Sequence, residues 1–127
     1  MHLSALSILV PDYESGIAFF CGVLDFELVE DADLGAEKRW IRVQPRGAQT
    51  GFILARAVGI DQTAAIGQQG GGRVWLFLET EDFSRDHGAL TSKGVAFQEE
   101  PRDEPYGKVA VFADPFGNRW DLIQFCK

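Results

Sequence analysis

The sequence is written twice, and this constrains its fold more than any other feature. Two stretches of the 127-residue chain read β-α-β-β-β in the same order, one over 1–56 and one over 74–127. Asp12 and Asp82 lie 70 positions apart, and Leu28 and Phe97 lie 69 apart. Gly51-Phe52-Ile53-Leu54 then aligns with Trp120-Asp121-Leu122-Ile123, also at 69. A drift of one residue over a whole module is what duplicated units show. The expected fold class is α+β. In it, two βαβββ modules carry curved mixed sheets, one helix covers one face of each sheet, and the other faces form a shared concave pocket.

The elements follow from local pattern. Leu3 to Val10 alternates as a strand and Pro11 ends it. Asp12 is placed to cap a helix whose apolar stripe is Ile17, Phe20, Cys21 and Leu24. Asp25 breaks that helix. Strands are expected over 26–30, 39–44 and 51–56, with an acidic loop over 31–37 and a turn at Pro45-Arg46-Gly47. Residues 57–73 show little periodicity and end in three glycines. Without a Lys-Ser/Thr pair and a following helix, these glycines do not make a phosphate cradle. The segment reads as a Gly-rich flexible linker. The second module runs as a strand over 74–79, a helix over 83–93 closed by Gly94, a strand over 95–98 and an acidic loop over 99–107.

The hairpin from Lys108 to Phe125 finishes the chain. Asp114-Pro115-Phe116-Gly117-Asn118 is turn chemistry, with Pro presetting φ and Gly and Asn tolerating φ > 0. In the last strand Trp120, Leu122 and Gln124 share one face, and Arg119, Asp121, Ile123 and Phe125 share the other. Trp120 is expected under the helix. Asp121 is a mid-strand carboxylate among apolar neighbours, which is costly unless it has a use.

The net charge of −7 argues against a nucleic-acid partner and permits a cationic small molecule. No run of 18 apolar residues suggests a membrane span. The N-terminus lacks a basic leader and enters a strand at once, so a cytoplasmic protein is expected. Cys21 and Cys126 have no metal-type spacing and read as a reduced pair.

Four stretches carry a resemblance to a known family: VPDYESGIAFFCGVLDFEL at 10–28, RWIRVQPRGAQTGFILA at 39–55, TEDF at 80–83 and EPYGKVAVFADPFGNRWDLIQ at 104–124. Together they resemble the vicinal oxygen chelate superfamily of glyoxalase I, extradiol dioxygenases and bleomycin-resistance proteins. The metal-dependent members hold a divalent ion at four strand positions, filled by His, Gln or Glu. The resemblance maps those positions onto Ala5, Phe52, Trp75 and Asp121. Only Asp121 can ligate, so no metal and no cofactor are expected. His2 falls on the opposite strand face from Ala5, and His87 reads as an exposed helix residue.

Strand alternation supplies the remaining candidates. In the first module the pocket face is Ala5, Ser7 and Leu9, with Trp40 and Arg42 set beside Phe52 and Leu54. In the second it is Trp75, Phe77, Glu79, Val109, Val111, Asp121 and Ile123, with Tyr106 near the mouth. An apolar, aromatic concavity with a few charges suits a small molecule. The resemblance favours the metal-free, bleomycin-resistance-like branch, which sequesters a flat cationic drug. Trp40 and Trp75 would stack on the ligand, while Asp121 or Glu79 would pair with its charge. The alternatives are a metal-dependent lyase or dioxygenase with an unusual site, and a metal-free enzyme using Asp121 as the catalytic acid or base. Two blander readings also stand: the aromatics merely fill a core, or Arg42 and Asp121 form a structural ion pair. The resemblance implies a homodimer, because modules of this family commonly pair their sheets across two chains, and each module also leaves sheet edges that pairing would cover.

Overall fold

A computed structural model describes residues 1–127, which divide into two compact units, Met1–Ile66 and Gly67–Lys127. The first runs β1 (Ala5–Val10), α1 (Tyr13–Ile17), a π-helical turn (Ala18–Val23), β2 (Glu27–Gly35), β3 (Lys38–Gln44), β4 (Gly51–Arg56) and α2 (Gly59–Ala65). Its sheet order is β1-β4-β3-β2, with β1 and β4 parallel and the other pairs antiparallel. The second runs β5 (Val74–Glu79), α3 (Phe83–Ser92), β6 (Ala96–Phe97), β7 (Arg102–Glu104), β8 (Gly107–Ala113) and β9 (Arg119–Phe125). Its order is β5-β9-β8-β6, with β7 also on β8 and β5 parallel to β9. The fold is α+β with two mixed, open sheets, as the duplication implies.

The capping residues act as read. Asp12 Oδ1 accepts from the Ser15 amide at 2.7 Å, and Asp82 Oδ1 accepts from the Arg85 amide at 3.1 Å. Gly94 sits at φ 86°, the left-handed position that closes α3. Asp25 takes φ 58° after the π-helical turn, which Asp tolerates better than most residues.

Three segments differ from expectation. The acidic stretch 31–37 is not a loop, because β2 continues to Gly35. Arg39 ties it down, donating from Nε and Nη2 to Asp31 at 3.2 and 2.7 Å. The 57–73 segment contains α2, whose entry is held by Gln62 Oε1 accepting from the Val58 amide at 2.9 Å. The acidic loop 99–107 contains β7, paired to β8 with Arg102 opposite Val109.

Each sheet packs its helix with one face. In the first unit that face carries Ile8, Val10, Ile41, Val43, Phe52 and Leu54, all buried. Phe52 lies in a ring cluster with Phe20 and Phe26, at centroid separations of 5.6 and 6.4 Å. In the second, Trp120 stacks on Phe112 at 5.6 Å, Phe112 meets Phe97, and Phe97 meets His87 at 4.2 Å. His87 is thus wedged between the rings of Phe97 and Phe83 rather than exposed. Trp120 is under the helix, as its alternation predicts.

Candidate functional site

The second unit's other face carries the chemistry. The β5–β9–β8 ladder sets Phe77 opposite Asp121 and Asp121 opposite Val111. One step along, Glu79 and Val109 both pair with Ile123. Paired residues share a face, so these side chains form one patch. Phe77 is 66% exposed and Glu79 is exposed, whereas Val109, Val111 and Ile123 are buried.

Asp121 is only 8% exposed, and its Oδ1 is buried with no hydrogen-bond partner. Burial pushes its carboxyl pKa up. Arg102 opposes this, Glu99 adds to it, and Arg119 opposes it. Asp114, on the same hairpin, shows what a structural carboxylate looks like. It is buried and accepts four hydrogen bonds, from the Phe116 and Asn118 amides, Asn118 Nδ2 and Trp120 Nε1, at 2.9–3.0 Å. Asp114 holds the turn, while Asp121 holds nothing in the protein.

A charged network that sequence pattern does not reveal borders this patch. Arg102 Nε donates to both oxygens of Glu99, at 2.9 and 3.0 Å, and Arg102 Nη1 donates to Glu104 at 2.6 Å. Tyr106, between β7 and β8, remains 47% exposed. Glu99 Oε1 also accepts from the Val111 amide at 3.1 Å, standing in for the backbone partner missing between β6 and β7. The one signal in the sequence is an arginine with acidic residues three before and two after it, inside a stretch that otherwise reads as a plain acidic loop.

In the first unit the register differs by one residue from that expected. Leu6 pairs with Phe52, and Ser7 pairs with Ile53. Arg42 pairs with Ile53, and Val43 with Phe52. Phe52 and Leu54 therefore belong to the helix-packed face. Leu54 Cδ1 lies where a Cβ on Gly16 of α1 would stand only 2.8 Å away. The opposite face instead carries Ala5, Ser7, Leu9, Ile53, Ala55 and Arg42, with Trp40 beyond them at 42% exposed. Arg42 is engaged within its own unit. Its guanidinium donates to Ser4 O at 2.7 Å, Ser4 Oγ at 3.2 Å and Gln44 Oε1 at 3.0 Å.

Trp75 also moves from its expected place. A register shift between Val74 and Leu76 leaves it at a bulge, packed against Gly70, and Phe77 takes the position opposite Asp121. The strand pairs that correspond between the units are thus Ser7–Ile53 and Phe77–Asp121. None of Ala5, Ser7, Ile53, Phe52, Trp75 or Phe77 offers a carboxylate or imidazole. No three His, Cys, Asp or Glu side chains gather anywhere in a metal-ligating group. The residues present do not fit a divalent-metal centre.

No helix is long and apolar enough to cross a membrane. A family model described as Glyoxalase/Bleomycin resistance protein/Dioxygenase superfamily matches residues 2–122. An uncharacterized protein of Shewanella frigidimarina (strain NCIMB 400) is 43% identical over 121 residues, which cover 94% of this chain and 90% of that one. Among solved structures, the chain is similar to TnmS3, an antibiotic binding protein from Streptomyces sp. CB03234. The TM-score is 0.76 at 29% identity, covering 99% of this chain and 97% of that one. It is also similar to UcmS2, with a TM-score of 0.83 at 29% identity and 97% of each chain covered.

Proposed function

The chain belongs to the Glyoxalase/Bleomycin resistance protein/Dioxygenase superfamily, and from that premise we propose that it binds and sequesters a small, aromatic, cationic molecule without a metal. The observation that carries this reading is Asp121. A carboxylate 8% exposed, with a buried oxygen that nothing in the protein bonds, is a cost unless a ligand supplies the donor or positive charge. Phe77, exposed and directly opposite, supplies a ring for stacking. The likeness to TnmS3 favours an antibiotic as the class of ligand. Trp40 and Trp75, with Ser7, Arg42, Glu79, Tyr106 and Val111, remain candidates for further contacts. Phe52 and Leu54 contribute to the core instead.

Sequestration asks for no catalytic partner to Asp121, whose buried Oδ1 has no hydrogen-bond partner. The competing reading is a metal-free enzyme with Asp121 as general acid or base, and its support is the same raised carboxyl pKa. One experiment separates the two. A panel of planar cationic aromatics, antibiotics included, is titrated against intrinsic tryptophan fluorescence, and the bound compound is then recovered and analysed. Saturable binding with the compound returned unchanged supports sequestration. A converted compound overturns it in favour of an enzyme, and no saturable binding across the panel overturns the ligand class. The protein is further proposed to be a cytoplasmic homodimer, so light scattering gives about twice the 14.0 kDa chain mass. A monomer at every concentration tested counts against the dimer.

A further inference from the structure

Arg102 stands on the same face as Asp121. It pairs with Val109, which pairs with Ile123, two residues from Asp121 along β9. Two strand spacings separate Arg102 from β9, about 10 Å between backbones, within the combined reach of an arginine and an aspartate side chain. Yet the guanidinium points to neither Asp121 oxygen. It is forked onto Glu99 and Glu104. These contacts are partly open to solvent, with the Arg102 side chain 39% exposed, so each is worth little by itself. The other charge bearing on Asp121 is Arg119 on its own strand, and Glu79 on β5, opposite Ile123, shares the face.

We propose that Glu99 and Glu104 form a clasp that withholds Arg102 from Asp121, which makes them positioning residues that keep the carboxylate open to a cationic ligand. The proposal rests on the sequestration reading for its purpose but not for its geometry. With both clasp carboxylates present, Arg102 has two anions closer than Asp121. With both neutralised, the nearest unpaired anion on that face is Asp121, and the guanidinium turns to it. The site then closes on itself, since the buried oxygen has acquired an internal counter-ion.

The test is a cycle on the full-length chain. Glu99→Gln with Glu104→Gln keeps the shape, and the new side-chain amide at position 99 still offers an oxygen to the Val111 backbone amide. Arg102→Met is made in the wild-type and in the double-glutamine backgrounds. The Asp121 carboxyl is titrated by NMR in all four proteins, and proflavine serves as the planar cationic probe. Arg102→Met should raise the Asp121 midpoint much more in the glutamine background than in the wild type, because only there are the two groups in contact. Proflavine affinity should fall about tenfold in the double-glutamine variant and return on adding Arg102→Met. An Arg102→Met effect of equal size in both backgrounds overturns the clasp. If proflavine fails to bind wild-type protein while the NMR cycle holds, the clasp stands and the ligand reading fails. Glu104→Gln alone, which touches no backbone group, gives a smaller effect of the same sign and covers the case in which the double variant does not fold.

Discussion

Replacing Asp121 with Asn should stabilise this protein, which is the reverse of what a buried aspartate usually predicts. The wild-type carboxylate has given up water without gaining a donor, and no salt bridge reaches it. Asn keeps the shape and removes the charge. A guanidinium is not orphaned, because Arg102 is held by Glu99 and Glu104 and Arg42 by Ser4 and Gln44. An unsatisfied buried polar group costs about 1–3 kcal/mol. Asn retains part of that cost, so the net gain should be about 1 kcal/mol, or roughly 3–5 °C in melting temperature for a chain of this size. The pH dependence follows from the direction of the shift. The folded-state pKa of Asp121 lies above the ordinary aspartate value of 3.8, so between the two the native state holds more protons than the unfolded state. Wild-type stability therefore falls as pH rises from 3.8 through the raised folded pKa. The Asn variant's advantage is full above that window and vanishes below it. Urea unfolding of both proteins from about pH 4 to 7 reads it directly. A melting temperature several degrees lower for Asp121→Asn at neutral pH would mean that the carboxylate has a native partner, and the argument for a ligand would fail with it.

Asp114→Ala should do the opposite, removing the acceptor of three buried donors and one part-buried donor and costing about 3–4 kcal/mol, as a far-UV melt would show. Phe52→Ala should cost roughly 3–5 kcal/mol. Phe77→Ala, at a residue 66% exposed, should change stability by no more than about 0.5 kcal/mol while weakening binding of an aromatic probe. Equal effects at the two positions would refute the assignment of faces. Elemental analysis of purified protein should find no stoichiometric transition metal, and one equivalent per chain, removable by chelator, would contradict the reading of the ligand positions.

The sequence by itself determined the duplication, the order of the main elements, both helix caps, the Asp114–Asn118 turn and the placing of Asp121 on an apolar strand face. All of these rest on local chemistry or on alternation within one strand, and both survive whatever surrounds them. Tertiary structure alone decided the phase of β4. Gly-Phe-Ile-Leu-Ala is apolar throughout, so either set of side chains can face the core and the pattern does not choose. The rings of Phe20 and Phe26 do choose, by packing on Phe52, and Ile53 is turned to the other face. The bulge at Trp75 has the same origin, since an extra residue in a strand leaves no compositional trace. The Glu99–Arg102–Glu104 network was hidden for a different reason. Charged residues in a loop read as solvated until the fold lays that loop along β8 and turns it into an edge strand two strands from the one that carries Asp121.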